Sequence, residues 1–337
     1  MTKPPRHPWP LRPRRPSRRA IGVALAVAAS ALLIYLYMPG DLLYPPWLIH
    51  HSDGVGADAN RGSVERHFIT SALLSRQTRD YYVYLPPSYY RPGFSARRYP
   101  VLYLLHGAPG VSSDWLRLGH VNATLDYMIA HHQLRELIAV MPDGNGGWEK
   151  DSEYVNRWDG RQNVEDYIVY DLVHEVDSRF RTIPDRSARA IGGISEGGYG
   201  ATNLGLKHRD VFATVIAFSG YFTALRSWPE RWPFGRDEDL RRRNSPLTYL
   251  PTLGNLSDVA LYLCAEGNSR FYRTQALRFT ALLRRTGARF ESHLPAGRHS
   301  WTFWRRELPS ALGFLENRWS QEHLPPTANR TGGCVAG

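Results

Sequence analysis

The pentapeptide at 193–197, which reads G-I-S-E-G, constrains this chain more than any other feature of its sequence. An apolar, strand-like run from Ala188 to Ile194 leads directly into it, and a helix-like segment follows. In a G-x-S-x-G turn between strand and helix, the serine occupies a strained corner, and the glycines leave space where a Cβ would collide with neighbouring backbone. The pattern predicts that Ser195 is an exposed nucleophile, with a plain glycine-rich turn that opens a helix as the alternative.

Short apolar runs alternate with helical patterns along most of the chain. The runs lie at Tyr99–Leu105, Leu137–Met141, Ala188–Ile194, Thr214–Phe218 and Val259–Cys264, and the helical patterns lie at about 121–133, 164–180, 198–207 and 272–286. Ahead of them, Val64–Leu74 and Arg79–Leu85 alternate in polarity as an antiparallel strand pair does. Strands that alternate with helices predict an α/β fold built on a doubly wound, mostly parallel sheet.

Basic residues are concentrated at the start of the chain. The formal net charge is +11, and residues 1–19 supply seven lysines and arginines and no acid, which leaves +4 for all other residues. A remainder that is so weakly basic is typical of a solvated surface and not of a nucleic-acid interface. We therefore expect no nucleic-acid partner.

Residues 20–38 form an uncharged, largely apolar stretch. At 1.5 Å per residue a helix of this length spans about 28 Å, close to the hydrocarbon thickness of a bilayer. The arginines before it predict that residues 1–19 are cytoplasmic and that the following domain lies outside the cell membrane. A signal peptide that is cleaved on export, suggested by the twin-arginine-like sequence at 17–19, is the alternative and would give a secreted protein.

The other expected boundaries follow from composition. Residues 39–62 are rich in turn formers and predict a linker, residues 63–320 hold the strand and helix patterns of the main domain, and residues 321–337 predict a disordered tail. Within the domain, residues 228–252 interrupt the pattern with prolines, tryptophans and three consecutive arginines. This segment is interpreted as a lid over the sheet edge or, alternatively, as an ordinary surface excursion.

Acyl transfer by a serine requires a base, an acid that orients the base, and donors for the oxyanion. In doubly wound hydrolases the chain order is serine, acid, histidine, with the histidine in a loop after the last strand. His299 fits this position best among thirteen histidines, because it follows the short strand pattern Phe290–Leu294 and precedes a helix that begins at Trp301.

The acid is expected in the loop after Val259–Cys264, where Glu266 is the only carboxylate. Asp237 and Asp239 are less well placed alternatives. The oxyanion donors are expected to be the backbone N–H groups of Glu196, which follows the nucleophile, and of Ala108. The sequence has no H-E-x-x-H motif and no paired cysteine and histidine cluster, so we expect neither a metal nor a cofactor.

Four motifs occur in a fixed order: Tyr99–Gly107, Met141–Gly144, Gly192–Gly200 and Gly297–Trp301. Together they resemble the esterase family of α/β-hydrolases that includes S-formylglutathione hydrolase, enterochelin esterases, feruloyl esterases and mycolyltransferases, over roughly residues 63–318. The resemblance implies the α/β-hydrolase fold, with a nucleophile at Ser195, a base at His299 and oxyanion donors at Ala108 and Glu196.

One departure from the family concerns the acid. Family members commonly carry an aspartate or glutamate where this chain reads N-S-R at 268–270. The resemblance therefore implies that Glu266 serves from a shifted position or that the acid comes from elsewhere.

These observations predict a serine carboxylic-ester hydrolase that forms an acyl intermediate on Ser195 and acts outside the cytoplasmic membrane. Its substrate is expected to be a small-molecule ester or an ester of a lipid or sugar. An acyltransferase of the mycolyltransferase type, using the same serine and histidine, is one alternative. A non-catalytic binding domain tethered to the membrane is another.

Overall fold

The computed structural model describes residues 61–145, 151–226 and 232–322. The N-terminal and C-terminal segments singled out by the sequence lie outside these ranges, namely the cytoplasmic segment 1–19, the anchor 20–38, residues 39–60 of the linker and the tail from residue 323. Within the described part of the chain, no helix is both long and apolar enough to span a bilayer. The membrane anchor stays a prediction from sequence.

In the described residues, eight strands form one mixed sheet. They are β1 (Ser63–Ser71), β2 (Gln77–Leu85), β3 (Val101–Leu105), β4 (Ile138–Pro142), β5 (Arg189–Ile194), β6 (Thr214–Phe218), β7 (Ala260–Cys264) and β8 (Arg289–His293). Their spatial order is β1-β2-β4-β3-β5-β6-β7-β8. β2 runs antiparallel to β1 and β4, and all other neighbours are parallel. The mostly parallel sheet and the antiparallel pair at its start confirm the predicted architecture.

Helices connect the strands. They are α1 (Asp114–Arg117), α2 (Val121–Ala130), α3 (Val164–Asp166 and Val173–Arg179, joined by a π-helical stretch Tyr167–Leu172), α4 (Glu196–Lys207), α5 (Glu238–Arg243), α6 (Pro246–Tyr249), α7 (Arg270–Leu283) and α8 (Trp301–Gln321). Short 3-10 turns occur at Ala72–Leu74, Arg186–Ala188, Trp232–Phe234 and Leu250–Thr252. The four helical patterns identified in the sequence correspond to α2, α3, α4 and α7.

Buried clusters lie on both faces of the sheet. They explain why the sequence of β3 is apolar at every position. Successive strand residues point to opposite faces. Tyr103 belongs to a cluster that includes Leu204 of α4, whereas its neighbour Leu102 belongs to a second cluster that includes Leu312 of α8. All five residues of β3 are buried, which is the pattern of a strand covered by helices on both sides.

The parallel strands β5 to β8 bring four distant segments to one edge of the sheet. Ser195 directly follows β5, Ser219 directly follows β6, Glu266 lies two residues beyond β7, and His299 lies between β8 and α8. In open α/β sheets, this carboxyl-terminal edge is where ligands and reacting groups assemble.

Several of the hydrogen bonds that fasten the segment at 232–252 to α4 are made by the buried Asn244. The Tyr199 hydroxyl donates to the Asn244 carbonyl at 2.5 Å. The Asn244 side-chain oxygen accepts from Asn203 and from Lys207, each at 3.0 Å. The second half of the predicted lid is thus anchored on the domain, and its opening and closing stay a prediction.

Candidate active site

The turn between β5 and α4 holds Ser195 in a conformation that few non-glycine residues adopt. Its backbone has φ 54° and ψ −117°. A Cβ on Gly193 would lie 2.2 Å from the carbonyl oxygen of Gly197, and a Cβ on Gly197 would lie 2.4 Å from the carbonyl oxygen of Leu105. Both glycines are therefore required by contacts with backbone, which is the sharp strand-to-helix corner that the pentapeptide predicts.

A line of hydrogen bonds joins Ser195, His299 and Glu266. His299 Nε2 lies 3.0 Å from Ser195 Oγ, and His299 Nδ1 lies 2.9 Å from Glu266 Oε1. Because an ionised carboxylate only accepts, Nδ1 carries the imidazole proton and Nε2 is free to accept the serine proton. The structure thus brings together the three side chains that the sequence proposed as nucleophile, base and acid.

Glu266 is completely buried beneath the imidazole. Burial alone would raise its pKa, but hydrogen bonds from His299, from its own backbone and from Ser219 outweigh burial and lower the pKa below the usual value for glutamate. The group therefore stays ionised at neutral pH and can hold the imidazole in one tautomer. The alternatives Asp237 and Asp239 lie at the start of α5 and make no described contact with His299.

Two residues near Glu266, Ser219 and Trp304, lie outside the four sequence motifs. The Ser219 hydroxyl donates to Glu266 Oε1 at 2.9 Å, and the Trp304 indole N–H donates to the Ser219 oxygen at 2.9 Å. Ser219 is fully buried and also has a positive φ of 49°. Its position directly after β6 is the one sequence signal that could have identified it.

The predicted oxyanion loop lies against the nucleophile. A Cβ on Gly107 would lie 3.3 Å from the Ser195 Cβ, so the Gly107–Ala108 backbone approaches Ser195 closely. The backbone N–H of Glu196 belongs to the first residue of α4, where N–H groups lack partners within the helix. These positions suit the two donors that the sequence proposed, Ala108 and Glu196.

Buried contacts hold the oxyanion loop in place. The His106 Nδ1–H donates to the Gly107 carbonyl at 2.9 Å, and His106 Nε2 accepts from the Gly144 N–H at 3.0 Å. The Tyr154 hydroxyl donates to the His106 carbonyl at 2.9 Å. Gly144 is needed because a Cβ there would lie 2.0 Å from the Tyr154 ring.

The Glu196 side chain is buried beside the same site. Its carboxyl accepts a hydrogen bond from the Glu153 N–H at 2.8 Å. Burial and the nearby carboxylates of Asp151 and Glu153 raise the pKa of Glu196 well above its usual range. The raised pKa favours the protonated form of Glu196, which adds no negative charge where an oxyanion would form.

Other features of the described residues lie away from this chemistry. Two surface cavities of about 290 and 540 Å³ border α2 and β8, respectively, and neither is lined by Ser195, Glu266 or His299. In the described ranges, no group of three or more histidine, cysteine, aspartate or glutamate side chains is arranged to hold a metal ion.

Comparisons with known proteins agree with this geometry. A family model described as Esterase matches residues 71–315. Esterase Rv1288 of Mycobacterium tuberculosis is 34% identical over 141 residues, which are 41% of this chain and 28% of that protein. An uncharacterized protein of Corynebacterium glutamicum is 26% identical over 249 residues, 71% of this chain and 57% of that protein.

A solved structure of a ferulic acid esterase matches with a TM-score of 0.69 and 26% identity, over 77% of this chain and 99% of that one. Among the curated relatives, this chain covers 57% of the length of the Corynebacterium glutamicum protein and 28% of the length of Esterase Rv1288.

Proposed function

The chain belongs to the esterase family of α/β-hydrolases, and on that premise we propose that it hydrolyses carboxylic esters through an acyl intermediate on Ser195. The observation that carries the proposal is the line from Ser195 Oγ through both nitrogens of His299 to Glu266, with separations of 3.0 and 2.9 Å. A base within hydrogen-bond reach of a serine, oriented by an ionised acid, is the arrangement that activates a hydroxyl nucleophile.

In the acylation step, Ser195 Oγ attacks the ester carbonyl carbon while its proton passes to His299 Nε2. The carbonyl electron pair moves to oxygen, where the N–H groups of Ala108 and Glu196 donate to it. The tetrahedral intermediate then collapses, the alcohol departs with the proton from His299, and the acyl group stays on Ser195.

In the deacylation step, His299 takes a proton from water, and the resulting hydroxide attacks the acyl carbon. Ser195 leaves with the proton that His299 returns, and the carboxylic acid is released. Glu266 stays ionised throughout, because its lowered pKa keeps its proton off at neutral pH, and it stabilises the imidazolium that forms in each step.

A fluorophosphonate probe tests the nucleophile. Wild-type protein should take up one label, and Ser195→Ala should take up none. Ser178→Ala is the matched control, because Ser178 is an exposed serine on α3 and its loss should leave labelling unchanged. A wild-type protein that does not react, or a Ser195→Ala variant that still does, would contradict the proposal and favour a binding domain without catalysis.

Product analysis tests the acceptor. With p-nitrophenyl acetate in buffer, free acetate should be the product, and adding a sugar or glycerol should leave acetate dominant. If acyl transfer to the added alcohol exceeded hydrolysis, the enzyme would be an acyltransferase that uses the same serine and histidine.

We also propose that the domain acts outside the cytoplasmic membrane. The support is the apolar stretch 20–38 preceded by seven basic residues, since positive flanks stay on the cytoplasmic side. Alkaline phosphatase fused after residue 60 should be active in cells, and the mass of the mature protein should include residues 1–19 if the segment is an uncleaved anchor. An inactive fusion would contradict the proposed location.

A further inference from the structure

Tyr272, the third residue of α7, lies directly against the imidazole of His299. The two rings are parallel to within 1°, with centroids 4.4 Å apart. The indole of Trp304 meets the same imidazole at 89°, with centroids 4.8 Å apart. The base is thus held by two aromatic rings, one stacked on it and one perpendicular to it.

The Tyr272 hydroxyl oxygen lies 3.2 Å from His299 Nε2. Because the rings are parallel, this hydroxyl lies over the imidazole face and not in the imidazole plane, where the lone pair of Nε2 points. A strong hydrogen bond needs the in-plane direction, and that direction is occupied by Ser195 Oγ at 3.0 Å. The main interaction of Tyr272 with the base is therefore through its ring face.

An aromatic face attracts a cation, and the imidazole becomes a cation when it accepts the serine proton. We propose that Tyr272 is a positioning residue for the base, whose ring holds the imidazole with Nε2 toward Ser195 and favours the imidazolium formed during acylation. This inference rests on the proposed function. In the described part of the chain, the titratable groups in contact with the imidazole are Glu266 from the loop after β7 and Tyr272 from α7, and Arg298 precedes His299 in the chain.

The test is the pH dependence of kcat/KM for p-nitrophenyl acetate, whose acidic limb reports protonation of the base in the free enzyme. Tyr272→Leu removes the aromatic ring face from beside the imidazole, so the plateau value of kcat/KM should fall about two- to fivefold. The acidic limb of the profile should move to lower pH by roughly half a unit. Tyr272→Phe keeps the face and should match the wild type. Tyr272→Trp enlarges the face, so its limb should move to higher pH.

Tyr127→Leu is the matched control. Tyr127 of α2 also stacks on a histidine, His131, with centroids 4.1 Å apart, but it lies on an exposed helix surface. Its replacement should leave both plateau and limb unchanged. The melting temperature of each variant shows whether it is folded.

Three results would overturn the role of Tyr272. One is a Tyr272→Leu variant whose limb does not move, even if its plateau falls, since that is the effect of a merely structural contact. Another is a Tyr272→Phe variant that loses as much as Tyr272→Leu, which would assign the effect to the hydroxyl. The third is a Tyr272→Trp limb that moves to lower pH. Failure of the proposed function is separate, because wild-type protein would then take up no fluorophosphonate label.

Discussion

Ser219 and Glu266 are joined by a 2.9 Å hydrogen bond to the same carboxylate oxygen that faces His299 Nδ1. The shared oxygen, Oε1, is held by one donor that directly follows β6 and one from the loop before α8. Because Ser219 in turn accepts from Trp304 of α8, the acid is fixed by contacts from two elements outside its own loop. These contacts therefore hold the Glu266 carboxylate in place beside His299.

Replacing Glu266 with glutamine should cost about a thousandfold or more in kcat. The amide would present a donor to His299 Nδ1, favour the other imidazole tautomer, and leave Nε2 unable to accept the serine proton. Steady-state hydrolysis of p-nitrophenyl acetate measures the loss. Glu291→Gln is the control, because Glu291 of β8 lies 3.0 Å from His293 in an exposed pair and its change should be neutral. A loss of less than about tenfold for Glu266→Gln would assign the acid elsewhere.

Replacing Ser219 separates its hydrogen bonds from its backbone conformation. Ser219→Ala leaves the buried Trp304 N–H without its acceptor and should cost about 1–3 kcal/mol of unfolding free energy. Ser219→Gly loses the same bonds but relieves the positive φ of 49°, so it should be about 1 kcal/mol more stable than the alanine variant. Urea unfolding of both variants checks the order. An alanine variant more stable than the glycine variant would show that the backbone here is unstrained.

The candidate catalytic residues could be proposed from the sequence because the α/β-hydrolase fold places serine, acid and histidine in one chain order. Ser195 is marked by its glycines, His299 by its place after the last strand, and Glu266 by being the only carboxylate in its loop. The motif resemblance to esterases is confirmed by the family match. The roles of these residues stay predictions until the variants are measured.

The contacts around the candidate triad could not be predicted from the sequence, because they join side chains from separate helices, strands and loops. Ser219 and Trp304 are 85 residues apart, and Tyr272 and His299 are 27 apart, with no spacing rule that links them. Sequence periodicity shows which face of a strand or helix is buried. It does not show which side chain will lie over a given imidazole.

The pH dependence of stability should report the buried carboxyl of Glu196. Its pKa is raised in the folded protein by burial and by Asp151 and Glu153, so the unfolded chain loses this proton first as pH rises. The wild type should therefore lose stability relative to Glu196→Gln from about pH 4.5 upward. The glutamine keeps an acceptor for the Glu153 N–H.

Melting temperatures at pH 4 and pH 8 measure this difference. At pH 4 the carboxyl of Glu196 is mostly protonated in both the folded and the unfolded state, and the two proteins should differ little. At pH 8 the Glu196→Gln variant should melt about 2 °C or more above the wild type. An equal difference at the two pH values would mean that Glu196 titrates in the folded protein as it does in the unfolded chain.

Adding one methyl group at Gly197 should destroy the nucleophile turn. The new Cβ would lie 2.4 Å from the carbonyl oxygens of both Leu105 and His106, and neither backbone group can move without displacing β3 or the oxyanion loop. Gly197→Ala should therefore lower the rate of fluorophosphonate labelling at least about a hundredfold.

Gly313→Ala is the matched control, because a Cβ at Gly313 in α8 meets no atom within 4 Å. Since alanine favours a helix over glycine, that variant should label normally and gain up to about 1 kcal/mol of stability. Normal labelling of Gly197→Ala would show that the corner at Ser195 tolerates a side chain and that its glycine serves another purpose.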